Sequence, residues 1–398
     1  MSALPASPPS GLPSGRPEEV GLSTPRLEAM GRVLEARIAA GHLPGAVVLV
    51  MRRGRLAWHQ AYGRRDPAAA EPMRTDSIFR IYSMTKPMVS VGIMMLVEEG
   101  RLLLADPIGQ YLPELASPQV AVAGGGTVPA AAPITVQDLL RHTSGLTYEF
   151  LGNGPVHKAY LDAKIARRGQ GNADQVATLG RLPLLHQPGT RWEYSRSTDV
   201  LGRLIEVISG QTLGAFLEQR ICRPLGMADT AFHVPPAQQH RLAEGFPKDP
   251  DTGAEMPLLE VREPPQFESG GGGMVSTAAD YAQLVHMLLD GGRLRSVRLL
   301  SRKTVELMTA DHLGDRPADP VLLGEGWGFG LGFAVRRGRG LVPTPGSAGM
   351  YHWSGMAGTT FWIDPAEQLA VVYMMQGIGQ RNFYRALMRD MVYAAIAD

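Results

Sequence analysis

Cysteine is almost absent from this chain, and the single Cys222 excludes a disulfide within the chain. The same scarcity excludes a cysteine-based zinc site, and we expect this thiol to pack in the core as a small apolar side chain. No His-Glu-x-x-His pattern occurs, so we expect neither a metal nor a cofactor. A Gly-x-Ser-x-Gly elbow is missing too, which leaves a Ser-His-Asp hydrolase without support.

An excess of charge of one sign is also missing. The chain has 39 Lys and Arg against 38 Asp and Glu, and no basic run indicates a nucleic-acid partner. No apolar run approaches the roughly 18 residues of a membrane span. Residues 1–15 lack the basic start and apolar stretch of a signal peptide. We therefore expect a soluble, cytoplasmic protein without a membrane partner, and its oligomeric state stays open.

Strand-like runs occur near both ends of the chain, and amphipathic helical patterns fill its middle. The length of 398 residues is ample for a large core. Alternating and β-branched runs predict strands at 45–51, 56–62, 327–335, 359–364 and 369–375. Apolar residues at helical spacing predict helices at 24–40, 197–209 and 382–397.

This arrangement predicts an α+β fold, in which an antiparallel sheet built from both chain ends carries a mostly helical inserted region. The corresponding division has a flexible leader at 1–20, a sheet domain at 21–90 and 325–398, and a mainly helical domain at 91–324.

A Ser-x-x-Lys tetrad, Ser83 to Lys86, precedes the apolar run 88–97. In a helix this spacing puts both side chains on one face, with Ser83 at or just inside the N-terminus, where the macrodipole favours negative charge. A serine needs a base to remove its proton, and Lys86 can be that base only when neutral. Lowering the lysine pKa by roughly 3 units costs about 4 kcal/mol, part of which burial can supply. The same spacing also arises by chance, as an N-cap serine followed by a solvated lysine.

Two later stretches give the tetrad a context. The three stretches are, in chain order, Ser83-Met84-Thr85-Lys86, Tyr194-Ser195-Arg196 and Trp353-Ser354-Gly355. In that order and at these separations they resemble the boxes of the serine β-lactamase and penicillin-binding-protein superfamily, in particular the class C-like family VIII carboxylesterases. Further stretches at 140–146, 225–227 and 273–276 are similar to the same superfamily. The resemblance spans roughly residues 20–395 and implies a β-lactamase/transpeptidase-like fold.

The resemblance also implies roles for individual residues. Ser83 would be the acylated nucleophile, Lys86 its base, and Tyr194 would share the base role and assist deacylation. The backbone N–H groups of Ser83 and Met356 would form an oxyanion hole, in which one donor contributes about 10²–10³ in rate. The implied function is a serine hydrolase that cleaves short-chain carboxylic esters through an acyl-enzyme, with a small-molecule ester as its partner.

Two residues depart from the β-lactamase pattern. Arg196 stands where an asparagine usually holds the substrate amide, and Trp353 stands where a lysine usually lies near the lactam carboxylate. A neutral indole cannot attract that carboxylate, and His352 should point to the opposite strand face. Arg196 could restore positive charge if it faces the pocket. Both departures favour neutral, amide-free esters over β-lactams.

Other residues complete the expected site. Tyr148, Ser354 and Gly355 are expected to bind substrate together with Arg196 and Trp353, although buried packing is an equal alternative for Tyr148. The four-glycine run 270–273 predicts a flexible turn near the site, and His142 suits a capping or turn role. A β-lactamase or D-amino-acid peptidase, an acyltransferase, and a non-catalytic binding protein on the same scaffold remain open.

Overall fold

The computed structural model describes residues 11–69, 71–338 and 340–398, so the first ten residues of the expected leader lie outside the described residues. The strands, in chain order, are β1 (Gly45–Arg52), β2 (Arg55–Gly63), β3 (Phe79–Arg80), β4 (Gln119–Ala121), β5 (Thr127–Pro129), β6 (Val275–Ser276), β7 (Arg293–Leu294), β8 (Val297–Arg298), β9 (Trp327–Phe329), β10 (Ala334–Arg336), β11 (Tyr351–Ser354), β12 (Thr360–Asp364) and β13 (Leu369–Met375). The helices are α1 (Thr24–Ala39), α2 (Thr85–Glu98), α3 (Val136–Leu140), α4 (Pro155–Asp162), α5 (Asn172–Leu179), α6 (Ser197–Ser209), α7 (Leu213–Leu217), α8 (Arg223–Leu225), α9 (Ala278–Leu289), α10 (Arg302–Met308) and α11 (Arg381–Tyr393).

A seven-stranded antiparallel sheet takes its strands from both chain ends, in the order β2-β1-β13-β12-β11-β10-β9. The early hairpin lies beside the last strand, with Ala46 opposite Met375 and Arg52 opposite Leu369. Every residue of β1 and β13 is buried. Helices therefore cover both faces of the central strands: α1 packs against β2 and α11, and α9 packs against β1, β12 and β13.

The predicted run 327–335 forms two short strands, β9 and β10, instead of one. Gly332 lies between them with a φ of 102°, in the region that favours glycine, and it turns the chain back on itself. The alternation of aromatic residues and glycine in this run therefore marks a hairpin whose strands pair with each other.

The inserted region packs around α2, which follows the Ser83 turn. All twelve residues from Thr85 to Leu96 are buried, as the long apolar run requires. Pro87 is tolerated because it lies in the first turn, where backbone N–H groups have no partner within the helix. α2 packs against α6 and α7. Because α2 runs from Thr85 to Glu98, the predicted domain boundary at residue 90 lies inside this helix.

The described part of the expected leader packs onto the sheet. Leu12 and Val20 are buried, and Pro17–Val20 form a 3-10 turn. The Gly15 N–H donates to the Leu56 carbonyl at 3.0 Å, which ties this segment to β2. Residues 12–20 therefore pack through apolar side chains spaced along them, and the flexibility expected of residues 1–20 stays a prediction.

Across the described ranges, no single helix has the length and apolar character to cross a membrane. Ser197–Ser209 and Leu213–Leu225 meet those criteria only when taken together, and they are bent by 79°.

Candidate active site

Ser83 lies in a 3-10 turn, Tyr82–Met84, directly ahead of α2. It is thus placed slightly earlier than the expected position at the helix N-terminus, while Lys86 occupies the first turn of α2. Tyr82 has a φ of 44°, a left-handed conformation that costs a non-glycine residue about 1–3 kcal/mol. Hydrogen bonds from the Met84 N–H to the Ile81 carbonyl and from the Ile81 N–H to Met274, both 3.0 Å, hold this turn.

The Lys86 ammonium is buried among three oxygen atoms. Its Nζ donates to Ser83 Oγ at 3.1 Å, to the Tyr148 hydroxyl at 3.0 Å and to the Gly271 carbonyl at 2.6 Å. The pKa of Lys86 is lowered to about 7, chiefly by burial; the Asp199 charge opposes this shift and the Arg196 charge adds to it. A large part of the protein therefore carries a neutral lysine at neutral pH, as a base role requires.

Tyr194 approaches Ser83 from the other side. Its hydroxyl donates to Ser83 Oγ at 2.6 Å and accepts from Trp353 Nε1 at 3.3 Å. Burial raises the pKa of Tyr194 above its ordinary value, although the hydrogen bonds with Ser83 and Trp353 lower it in part. The phenol therefore keeps its proton at neutral pH and can serve as a proton donor.

The four-glycine run lies directly against Lys86, near the site as expected. The Asp199 carboxylate, fully buried in the first turn of α6, accepts from Ser269 Oγ at 2.6 Å and from the Gly271 N–H at 2.8 Å. A side chain at Gly271 would come within 2.8 Å of the Tyr148 hydroxyl and 3.0 Å of Asp199. Asp199 thus fixes the backbone that presents a carbonyl to Lys86.

Arg196 borders the cavity beside Ser83, but its charge is already balanced. It forms ion pairs with Glu149 and, at 3.3 Å, with Asp199. Burial alone would lower the pKa of the Arg196 guanidinium, yet Asp199, Tyr148 and Glu149 together raise it. Arg196 therefore does not offer a free cation to a substrate.

The third box consists of the last two residues of β11, Trp353 and Ser354, and of Gly355, which follows the strand. Trp353 contacts Tyr194 as described, and the hydroxyls of Ser354 and Thr360 lie 2.8 Å apart across the β11–β12 pair. A side chain at Gly355 would clash with the Ile81 carbonyl, so glycine lets this strand end lie against the Ser83 turn.

Met356 follows in the next turn and is 40% exposed. Together with Ser83 it borders one cavity, and its oxyanion-hole role stays a prediction.

His142 supports the site from behind. Its φ of 58° places it in a tight turn, as expected, and its Nδ1 lies 3.1 Å from Ser195 Oγ. The imidazole ring lies 5.0 Å from the Tyr194 ring. Burial, followed by the charge of Lys86, holds the pKa of His142 well below its usual range, so this side chain is a neutral packing and hydrogen-bonding group.

A cavity of about 700 Å³ opens above Ser83. Tyr148, Phe150 and Phe267 form part of an aromatic wall, and Tyr148 thus both lines the cavity and contacts Lys86. Arg381, Arg385 and Arg389 of α11 border it as well. Within the described ranges, no group of His, Cys, Asp and Glu side chains is placed to hold a metal ion.

Sequence reasoning missed Asp199 and the three arginines of α11. An acidic residue on the otherwise apolar helix 197–209 was a signal for the first. An arginine at every fourth residue from Arg381 into the predicted C-terminal helix was a signal for the three arginines.

This fold and site define a protein of the β-lactamase family: the Beta-lactamase family model matches residues 30–390, and the chain belongs to that family of serine hydrolases and acyltransferases. The chain is similar to Protein Rv1367c of Mycobacterium tuberculosis (strain ATCC 25618 / H37Rv), with 39% identity over 351 residues, covering 85% of this chain and 86% of that protein. It is 32% identical to Esterase EstB of Burkholderia gladioli over 391 residues, covering 93% and 95%.

Among solved structures, EstCE1, described as a hydrolase with promiscuous acyltransferase activity, superposes with a TM-score of 0.79 at 28% identity. This match covers 93% of this chain and 99% of that one. The resemblance and the fold that the sequence predicted are confirmed.

Proposed function

We propose that the protein is a serine esterase that cleaves short-chain carboxylic esters through an acyl-enzyme on Ser83. The observation that carries this proposal is the double contact of Ser83 Oγ, with Lys86 Nζ at 3.1 Å and with the Tyr194 hydroxyl at 2.6 Å. Similarity to Esterase EstB along almost the whole chain supports an ester substrate.

The surroundings of Lys86 suit a base. A neutral amine has two N–H donors and one lone pair. The Gly271 carbonyl and the Tyr148 hydroxyl can take both donors, since they lie 2.6 Å and 3.0 Å from Nζ. The lone pair is then left for the Ser83 hydroxyl, so the contact between these residues reverses and Ser83 donates.

Acylation follows from these contacts. Ser83 Oγ attacks the ester carbonyl carbon while its proton passes to Lys86, and negative charge develops on the carbonyl oxygen near the Ser83 and Met356 N–H groups. The carbon–oxygen bond to the alcohol then breaks, and Tyr194 gives its proton to the departing oxygen. The Lys86 ammonium returns a proton to Tyr194, so the site is neutral again.

Deacylation is the reverse of these steps with water in place of the alcohol. Tyr194 passes its proton to Lys86 and takes one from water, the water oxygen attacks the acyl carbon, and Ser83 Oγ leaves with a proton from Lys86. A second alcohol could resolve the same acyl-enzyme and give a new ester. An acyltransferase is therefore a second candidate, favoured by the similarity to EstCE1, a hydrolase with promiscuous acyltransferase activity. Product analysis with and without added alcohol separates the two candidates.

A β-lactamase or D-amino-acid peptidase fits the second box less well. The Arg196 guanidinium is held by Glu149 and Asp199, and so cannot take over the work of an asparagine that holds a substrate amide. We therefore expect kcat/KM for p-nitrophenyl butyrate to exceed that for nitrocefin by at least about 10², which corresponds to two good hydrogen bonds.

The direct test is labelling with a fluorophosphonate followed by digestion and mass spectrometry. We expect the adduct on Ser83, and none in Ser83→Ala. An adduct on another residue would contradict the assignment. If the protein takes no label and hydrolyses no ester in a broad panel, the non-catalytic alternative holds.

A cytoplasmic location stays a prediction.

A pH profile tests the electrostatic setting of Lys86. We expect kcat/KM to rise with pH through a limb near about 7, because the neutral amine accumulates above the pKa of Lys86. Asp199→Asn should move this limb to lower pH, since the Asp199 charge raises that pKa. Asp280→Asn removes another buried carboxylate, in α9, and should leave the limb in place. A limb that stays or moves upward in Asp199→Asn would contradict this electrostatic account.

A further inference from the structure

We propose that Arg381, Arg385 and Arg389 form a subsite for a carboxylate carried by the ester substrate. This inference rests on the proposed esterase function and names its substrate class. The three arginines are four residues apart on α11, so they project from one face of the helix. All three border the cavity that opens above Ser83.

The charges of the three arginines are poorly balanced: the Asp390 charge raises the pKa of Arg389 but does not outweigh the effect of burial. None of them forms an ion pair with a carboxylate among residues 11–69, 71–338 and 340–398, and Arg385 Nε is buried without a hydrogen-bond partner there. No Asp or Glu of the described chain lines the cavity. Arg196 differs sharply, because two carboxylates neutralise it.

The electrostatic environment of these arginines is unfavourable without an anion. The pKa of Arg385 is lowered to about 9, first by burial and then by the charges of Arg381 and Arg389. Burial likewise lowers the pKa of Arg389 to about 10. A guanidinium still keeps its proton at neutral pH, so several units of positive charge face one cavity. A bound anion would offset both the repulsion and the burial.

The three arginines of α11 also lie beside the reacting groups. Arg385 donates through Nη2 to the Gly355 carbonyl, one residue before Met356. The Arg389 guanidinium lies 5.3 Å from the centre of the Trp327 ring, which holds it against the cavity wall. His352 is neutral here, because burial and then Arg389 and Arg385 lower its pKa well below its usual range. Arginine is therefore the cation that this side of the cavity presents.

This changes the expectation drawn from Trp353. A neutral residue in the third box suggested a pocket for neutral esters. The cations come instead from α11, which the sequence places after the last strand. A planar guanidinium fork matches a carboxylate, and such charge-assisted hydrogen bonds are about twice as strong as neutral ones. The pocket thus suits an ester with a carboxylate in its acyl or its alcohol part.

Two matched pairs of esters test both positions of the carboxylate. The acyl-side pair is the 4-acetylphenyl monoester of adipic acid and 4-acetylphenyl heptanoate, which are similar in length and share one leaving group. The alcohol-side pair is 4-carboxyphenyl butyrate and 4-acetylphenyl butyrate. The readout is the ratio of kcat/KM, anionic over neutral, because a ratio cancels general damage to the site.

We expect this ratio to be roughly tenfold or more in one pair, as hydrogen bonds to charged groups imply. It should fall toward one in Arg381→Gln and in Arg385→Gln, and persist in Arg26→Gln, which removes an exposed arginine of α1. Arg381→Gln is the cleaner variant, since Arg385 also supports the Gly355 carbonyl. A ratio near one in both pairs, or one that survives both variants, would overturn the subsite.

Failure of the proposed function has a different signature. In that case no ester is hydrolysed and Ser83 takes no fluorophosphonate. Calorimetric titration with adipate then decides the subsite without turnover. Binding by the wild type that is lost in Arg381→Gln/Arg385→Gln supports it, and no binding, or equal binding by both proteins, overturns it.

Discussion

Lys86→Ala is expected to lower kcat by at least about 10³ while the fold stays intact, since a positioned general base contributes about 10²–10⁴. Among the described residues, Lys86 supplies the side-chain nitrogen that lies within hydrogen-bonding distance of Ser83 Oγ, at 3.1 Å. Its pKa of about 7, lowered chiefly by burial, provides a neutral amine at the pH of the assay. Alanine removes the proton acceptor and leaves Ser83 as an ordinary hydroxyl.

Lys86→Arg is the informative control. A guanidinium keeps the positive charge but has no accessible neutral form, because its pKa exceeds 12. If Lys86 acts as the base, arginine should be as inactive as alanine. If Lys86 acts only through its charge, arginine should retain much of the activity.

Steady-state kinetics of both variants should be read beside circular dichroism and melting curves, because arginine is larger than the buried lysine it replaces. Folded Lys86→Arg protein with more than about a tenth of the wild-type kcat would refute the base role, because that loss falls short of the general-base factor. Tyr194 would then be the candidate acceptor.

Tyr194→Phe should lower kcat by about 10²–10³, because it removes a proton donor from the departing alcohol. The change deletes one oxygen and keeps the ring, which packs 5.2 Å from the Trp353 ring and 5.1 Å from the Tyr148 ring. The raised pKa of Tyr194, caused by burial, keeps its proton available across the neutral range.

The leaving group sharpens this test. An acidic phenol needs little protonation, so Tyr194→Phe should harm alkyl esters more than p-nitrophenyl esters. Tyr82→Phe is a matched control: its hydroxyl borders the same cavity but accepts from the Leu259 N–H at 2.8 Å. Equal loss in both variants, or equal loss for both ester types, would refute a proton-donor role.

The sequence was enough to predict the sheet and to single out Ser83, Lys86 and Tyr194, which the structure brings into contact and whose catalytic roles stay predictions. β1 and β13 are continuous buried strands whose apolar runs stand out, and Ser83 and Lys86 are joined by local helical spacing. Tyr194 entered through the resemblance, since nothing in its neighbourhood brings it to Ser83 by local geometry.

Long-range packing explains what could not be predicted. The hydrogen bond from the Gly271 N–H to Asp199 joins two segments that are far apart in the chain. This partner of the Asp199 carboxylate is therefore in place only in the folded protein. The arginines of α11 look like an ordinary solvated helix face in sequence, and only the sheet order turns them toward Ser83. Leu12 is likewise buried only because the folded chain brings it onto the sheet.

The pairing of β1 with β13 has a consequence for biosynthesis. β1 leaves the ribosome long before its neighbour β13, which lies more than 300 residues later in the chain, and translation proceeds at about 5–20 residues per second. Until then one edge of the first hairpin has no partner, and such non-local pairing is slow to form. Nascent chains therefore carry Ser83 and Lys86 long before β13 is available, so the sheet beside the nucleophile is complete only after β13 has been synthesised.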